Sequence, residues 1–207
     1  GSSKTQIFLN EDGILNVNNL QPRMANVYGG HLSFVDYNND GFLDISMSGL
    51  ATLNFSTFTA LLLYKWENGT YVLDDDESQL SITDGYWGGQ YNHDWADYDN
   101  DGDLDLVSGG ISIFDNTNYL TIFKNNNGIL SKDTTQTDLI PLFPCALIWI
   151  DINGDNYKDL LTLGRLQLNG ASHMYINDGM GKLIKSSDQP FEIPSILHAI
   201  SVGDHNS

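Results

Sequence analysis

The chain has one cysteine, Cys145, among 207 residues, so an intrachain disulfide is excluded and the fold must be held by packing, polar networks or ions. Cys145 lies in the apolar run Phe143 to Ile150 and reads as a small core residue rather than a reactive thiol. Cations are scarce as well: nine Lys and Arg stand against 27 Asp and Glu, a formal net charge of −18. Such a chain lacks the clustered basic residues that nucleic acid or an anionic membrane surface would need. No apolar run approaches the ~20 residues of a membrane-spanning helix. Catalytic signatures are missing too: there is no G-x-S-x-G elbow, no phosphate-binding Walker loop, no H-E-x-x-H and no Cys/His nucleophile pair, so the chain reads as a non-enzyme. His173, His198 and His205 share no ligand spacing, which argues against a zinc site.

What the sequence has in excess is Asp, Asn and Gly, gathered in three acidic loops that hold eleven of the 27 acidic residues. The loops are Asp36-Tyr37-Asn38-Asn39-Asp40-Gly41-Phe42-Leu43-Asp44, Asp97-Tyr98-Asp99-Asn100-Asp101-Gly102-Asp103-Leu104-Asp105 and Asp151-Ile152-Asn153-Gly154-Asp155-Asn156-Tyr157-Lys158-Asp159. Oxygen-bearing side chains at positions 1, 3, 5 and 9, with a backbone carbonyl at position 7, describe a cage for a hard cation, and calcium with its six to eight flexible oxygen ligands fits best. The candidate ligands are Asp36, Asn38, Asp40, Phe42 and Asp44; Asp97, Asp99, Asp101, Asp103 and Asp105; and Asp151, Asn153, Asp155, Tyr157 and Asp159, with Phe42, Asp103 and Tyr157 contributing carbonyls. Two to three calcium ions are expected. An EF-hand is excluded, because its bidentate Glu at position 12 is replaced by Met47 in the first loop. A carboxylate committed to calcium is a poor general base, so the cages are expected to be structural.

Short apolar runs flank each loop: Leu32 to Val35 and Leu43 to Met47, Trp95-Ala96 and Leu104 to Val107, Ala146 to Ile150 and Leu160 to Leu163. Ile45-Ser46-Met47-Ser48 alternates with period two, so each loop is expected to join two strands. From Asp36 to Asp97, Asp151 and a partial copy at Asp204 the steps are 61, 54 and 53 residues, a repeat length suited to a propeller blade. A second signature keeps the rhythm: Asn10 to Gly13, Asn68-Gly69, Asn125 to Gly128 and Asn177 to Gly179 each interrupt a strand pattern with residues that tolerate positive φ, the mark of tight hairpins. One repeat thus holds about four strands. The expected fold is all-β: propeller blades of four antiparallel strands at roughly 31–76, 92–134 and 146–187, with partial blades at 7–18 and 196–207, in a single propeller segment 1–207.

The blocks Tyr28-Gly29-Gly30 with Asp36 to Asp44 and Ser48-Gly49, and Trp87-Gly88-Gly89 with Asp97 to Asp105 and Ser108-Gly109-Gly110, resemble the FG-GAP/VCBS repeats of integrin α-subunit-like β-propellers. The resemblance covers most of the chain. It implies a larger ring of about seven blades, an extracellular or cell-surface location, a calcium-dependent binding or adhesion role, and association with the remaining blades or with another copy. The third loop departs from the pattern: Gly154 and Asn156 exchange the usual residues at positions 4 and 6, which requires Asn156 to take a left-handed conformation.

Function divides along the same lines. A binding module for a protein or carbohydrate ligand is the leading reading, with a lectin or a calcium-dependent polysaccharide lyase as alternatives; the lyase needs basic residues around a groove, which this chain hardly has. His31 and His93 read as strand residues hydrogen-bonded to their neighbours, Asp74-Asp75-Asp76-Glu77 as a solvated connector, and Trp66, Trp95 and Trp149 as inter-blade packing. Trp87 and Tyr86, next to Gly88-Gly89, are the better candidates for an exposed aromatic platform, with packing the favoured reading for them as well. Asn54-Phe55-Ser56 and Asn68-Gly69-Thr70 match the glycosylation acceptor pattern.

Overall fold

The computed structural model describes residues 5–18, 24–53, 56–75, 92–111, 117–142, 146–166 and 169–188, and all regular structure among them is β-strand. No helix long and apolar enough to cross a membrane occurs among the described residues. Strands β1 (Phe8–Glu11) and β2 (Ile14–Val17) form a hairpin. Three four-stranded antiparallel sheets follow, each a meander in chain order. The first holds β3 (Asn26–Val35), β4 (Asp44–Leu53), β5 (Ser56–Glu67) and β6 (Thr70–Leu73). The second holds β7 (Asn92–Ala96), β8 (Asp105–Ile111), β9 (Asn118–Asn126) and β10 (Ile129–Lys132). The third holds β11 (Ala146–Ile150), β12 (Asp159–Leu166), β13 (Asn169–Asn177) and β14 (Leu183–Lys185). These are blade-type sheets, as the sequence led one to expect. The segment 196–207, Cys145, Tyr86, Trp87, Asp76, Glu77, Asn54, His198 and His205 lie outside the described residues.

Local chemistry sets the turns. Asp12-Gly13, Asn68-Gly69 and Asn127-Gly128 are two-residue turns with both φ values positive, between 50° and 88°, the geometry whose twist matches that of paired strands. The fourth hairpin differs from the expected tight turn: Asn177 pairs with Leu183, so residues 178–182 form a longer loop with Gly179 and Gly181 both at φ 78°. Gly29-Gly30 has another job. The register between β3 and β4 slips between Tyr28 and His31, a bulge, and a Cβ on Gly30 would sit 1.5 Å from the Ser48 carbonyl oxygen.

The core lies between the sheets. Val35, Tyr37, Leu61 and Leu63 of the first sheet and its Asp loop pack on Leu106, Phe123 and Leu130 of the second. Val107, Leu120 and Ile122 of the second pack with Tyr98 on Leu147, Trp149 and Leu160 of the third. Connectors cross the third strand of a sheet: the backbone N–H of Ala25 donates to Tyr64 Oη at 2.9 Å, and that of Ile140 to Tyr175 Oη at 2.8 Å. The alternation of Ile45-Ser46-Met47-Ser48 does not separate core from solvent, because all four are buried. Ile45 and Met47 face one apolar cluster, while Ser46 and Ser48 face the ring of His93 in the next sheet. His93 is therefore a buried inter-sheet residue, and exposed His31 meets it edge to face at 4.8 Å.

Candidate metal centre

Each Asp loop joins the first two strands of its sheet: 36–43 links β3 to β4, 97–104 links β7 to β8, and 151–158 links β11 to β12. The three share one backbone form. Positions 4 and 6 are left-handed throughout, as Asn39 and Gly41, Asn100 and Gly102, and Gly154 and Asn156, with Asn156 at φ 69°. The exchange of Gly and Asn in the third loop thus leaves the conformation unchanged, since both tolerate positive φ.

The carboxylate of position 1 organises the turn in every copy. Asp36 accepts from the backbone N–H of Asp40 and Gly41, both at 3.0 Å. Asp97 accepts from Asp101 and Gly102, both at 3.1 Å. Asp151 accepts from Gly154 at 2.7 Å, Asp155 at 3.1 Å and Asn156 at 2.9 Å. At position 5, Asp40, Asp101 and Asp155 each accept from the N–H of position 7 at 2.9 to 3.0 Å. Position 3 differs: Asn38 and Asn153 donate to the position 5 carboxylate at 3.1 and 2.8 Å, whereas Asp99 cannot.

Position 9 is the buried member. Asp44, Asp105 and Asp159 are all 0% exposed, and Oδ1 of each accepts a third-strand backbone N–H, from Trp66 at 2.8 Å, Asn125 at 2.9 Å and Asn177 at 2.8 Å. Oδ2 of Asp105 and Asp159 accepts from Tyr98 and Ile152 at 3.2 and 2.8 Å. Oδ2 of Asp44 is buried with no hydrogen-bond partner of normal geometry among the described residues, although the Tyr37 amide lies in its field. Oδ1 of Asp99 is buried and unpartnered likewise. One carboxylate oxygen each from Asp97, Asp99 and Asp105 falls within 4.8 Å of the others. Crowding of this kind disfavours ionisation: burial, then the Asp40 and Asp36 charges, push Asp44 up to about 6, and burial with Asp99 and Asp101 pushes Asp105 up to about 7, each against backbone hydrogen bonds. The donor set is all oxygen, it holds buried carboxylate oxygens without protein donors, and it fits a hard divalent cation. The predicted carbonyl donors belong to Phe42, whose side chain is exposed, and to Asp103 and Tyr157.

Loops and neighbouring sheets are stitched together by residues that motif reading did not find. Asn125 Nδ2 donates to the Tyr37 carbonyl at 2.6 Å and the Leu104 carbonyl at 2.9 Å, and Asn177 Nδ2 donates to the Tyr98 and Lys158 carbonyls at 2.7 and 3.1 Å. The Asp103 carboxylate accepts from Asn39 of the preceding loop and from the Asn127 N–H at 2.9 Å. The phenols of Tyr37 and Tyr98 donate to Asp74 and Asp133 at 2.7 and 2.6 Å. Asp74, expected in a solvated connector, is instead 5% exposed and lies 3.4 Å from Lys65 Nζ. A signal for this pair exists in the sequence: Asp74 and Asp133 each follow the turn residue, Asn68 or Asn127, by six positions.

Comparison with known proteins places part of this chain. A solved lectin structure from Agrocybe aegerita, described as recognising non-reducing terminal N-acetylglucosamine, aligns at a TM-score of 0.41 and 15% identity over 74% of this chain and 50% of its own. The chain therefore spans about half the length of that lectin. No curated protein matches the sequence. The family model for the FG-GAP-like repeat matches residues 97–162, which run from the start of the second Asp loop through the third and into β12. Within the all-β array of four-stranded sheets, residues 97–162 are thus similar to the FG-GAP-like repeat.

Proposed function

We propose that the chain is a calcium-stabilised, extracellular binding module, non-enzymatic, in which the three Asp loops hold calcium and the assembled sheets present a surface to a protein or carbohydrate ligand. The observation that carries the calcium reading is the cluster of Asp97, Asp99 and Asp105, whose carboxylate oxygens lie within 4.8 Å of one another while Asp99 Oδ1 is buried with no hydrogen-bond partner among the described residues. Calcium supplies the charge that lets the crowded carboxylates stay ionised together. The residues supply the rest: positions 1 and 5 fix the turn through backbone N–H groups, position 9 anchors it to the third strand, and positions 3 and 7 complete the oxygen shell. Millimolar calcium outside the cell keeps weak sites of this kind loaded, which favours an exported protein.

The partner reading rests on the first hairpin. β1–β2 repeats the β9–β10 turn, including the bond from Gly13 N to Asn10 Oδ1 that mirrors Gly128 N to Asn125 Oδ1. Phe8 and Leu15 are 51% and 65% exposed, whereas their counterparts Phe123 and Leu130 are 6% and 5% exposed. Further strands, from remaining blades or another copy, would cover them. Calorimetric calcium titration of the wild type and of Asp40→Ala and Asp101→Ala tests the calcium assignment. Each variant should lose one ion; unchanged stoichiometry in both would sink it.

A further inference from the structure

Position 3 of the second loop breaks a rule that the other two keep. Asn38 and Asn153 are neutral, accept the position 5 N–H through Oδ1 at 3.1 Å, and donate through Nδ2 to the position 5 carboxylate. Asp99 places a fourth ligand carboxylate in its cage. The added charge has a dedicated partner, Lys124 on β9, whose Nζ lies 2.7 Å from Asp99 Oδ2 and 5.6 Å from the centre of the Tyr98 ring. The Asp99 side chain is 13% exposed, so this ion pair is only partly open to water. Its other oxygen, Oδ1, is buried without a hydrogen-bond partner among the described residues, and Asp99 contributes a carboxylate oxygen to the cluster with Asp97 and Asp105. Lys65, one place before Trp66 as Lys124 is before Asn125, turns instead to Asp74 and Glu67 in the first sheet, and the third sheet has Ile176 there. The Asp99–Lys124 pair therefore occurs in the second loop alone among the described repeats.

We propose that Lys124 is a built-in counter-charge that sets the cation affinity of the second loop, holding Oδ2 of Asp99 while Oδ1 stays directed at the cage. This inference rests on the calcium reading of the loops. The net charge facing the cation then equals that of the first loop, three carboxylates in effect, and the fully acidic second loop gains no advantage from its fourth. An ammonium group within several ångströms of a divalent ion, partly shielded from water, weakens binding by about tenfold.

The test is calcium titration by calorimetry, with terbium luminescence as a second probe, on the full chain carrying Lys124→Met and Lys124→Arg. Lys124→Met should tighten one site about tenfold and leave the others as they were, while Lys124→Arg, which keeps the charge, should match the wild type. In chelator Lys124→Met should melt earlier than the wild type, and calcium should raise its melting temperature further. Equal affinities and equal calcium-induced shifts in wild type and Lys124→Met would overturn the role of Lys124 while the loops remain calcium sites. Absence of calcium binding in the wild type would overturn the loop reading itself.

Discussion

Acidification to about pH 5 should weaken the fold through His93, and the effect can be isolated from every other titrating group. His93 is 1% exposed between the first and second sheets, with Nε2 2.7 Å from Ser46 Oγ and Nδ1 2.9 Å from Ser48 Oγ. A neutral imidazole uses one nitrogen as donor and the other as acceptor, and two hydroxyls satisfy both. The imidazolium gains no carboxylate there; burial, aided by the like charge of His31, lowers the His93 pKa to about 3. The sign follows from the depressed value. Unfolded chains take up a proton below the ordinary value of about 6.5 and the folded chain does not, so stability falls as pH drops from about 6.5 toward about 3. Between about pH 7 and about pH 5 the linkage amounts to roughly 2 kcal/mol. Asp44 and Asp105, raised to about 6 and about 7, act in the opposite sense over the same window, because they stabilise the fold at low pH and lose that contribution as pH rises through those values. Comparison with His93→Gln cancels them. Urea unfolding of both proteins at the two pH values, with coincident fluorescence and circular dichroism transitions, should show the wild-type advantage shrinking by about 2 kcal/mol on acidification. A gap that stays constant would show that His93 is protonated in the fold or that the Ser pair tolerates the charge.

Calcium removal should lower the melting temperature, since occupancy at a hundredfold excess over Kd contributes about 2.7 kcal/mol per site; superimposable melting curves with and without chelator would refute a structural role. Asn125→Ala and Asn177→Ala should each cost about 2 kcal/mol in chemical denaturation, because one buried and one part-buried carbonyl lose their donor, whereas Asn126→Ala, at an exposed position, should cost far less. Gly30→Ala should cost about 1–3 kcal/mol or more, since its Cβ meets the Ser48 carbonyl at 1.5 Å and the bulge must reorganise; a neutral effect in the same denaturation assay would contradict the bulge geometry.

The loops and hairpins were legible because their determinants are local. Positive φ at positions 4 and 6 selects Asn and Gly, and the Asn-Gly turns select the hairpin partner within a few residues, so the alternation of loop and turn fixes a four-stranded meander. Even the altered third loop follows from side-chain tolerance alone. The inter-sheet contacts were hidden because they depend on which faces meet. The period-two alternation at Ser46 and Ser48 marks a strand but not what its polar face meets; both are buried because the neighbouring sheet sets His93 and the Trp95 indole, 3.0 Å from Ser46 Oγ, against them. Asp74 read as solvent-facing because its partner within the same sheet is remote in sequence. Its partner Tyr37 lies 37 residues away, and only the folded sheet order brings the phenol to it.

The stitching also bears on what the proposed cation sites would do in this array. A loop held only by its own sheet would influence little beyond its turn. Here the carbonyl at position 2 of the first loop is gripped by Asn125 of the second sheet, and the same Asn accepts from Gly128 in the hairpin turn at 2.9 Å. Gly128 in turn packs closely on the first loop, since a Cβ added there would stand 3.1 Å from that of Asn38, a candidate ligand. The relation repeats one sheet later, where Asn177 grips Tyr98 and a Cβ on Gly181 would stand 2.9 Å from that of Asp99. Ordering one loop therefore orders the turn of the next sheet, and that turn fixes the third strand whose amide holds the buried Asp of its own loop, Asp105 or Asp159. The loops form a chain of dependence running from sheet to sheet. In a repeat array stabilised by nearest-neighbour interfaces, a cation bound at each link, as proposed, would strengthen the terms on which cooperativity rests.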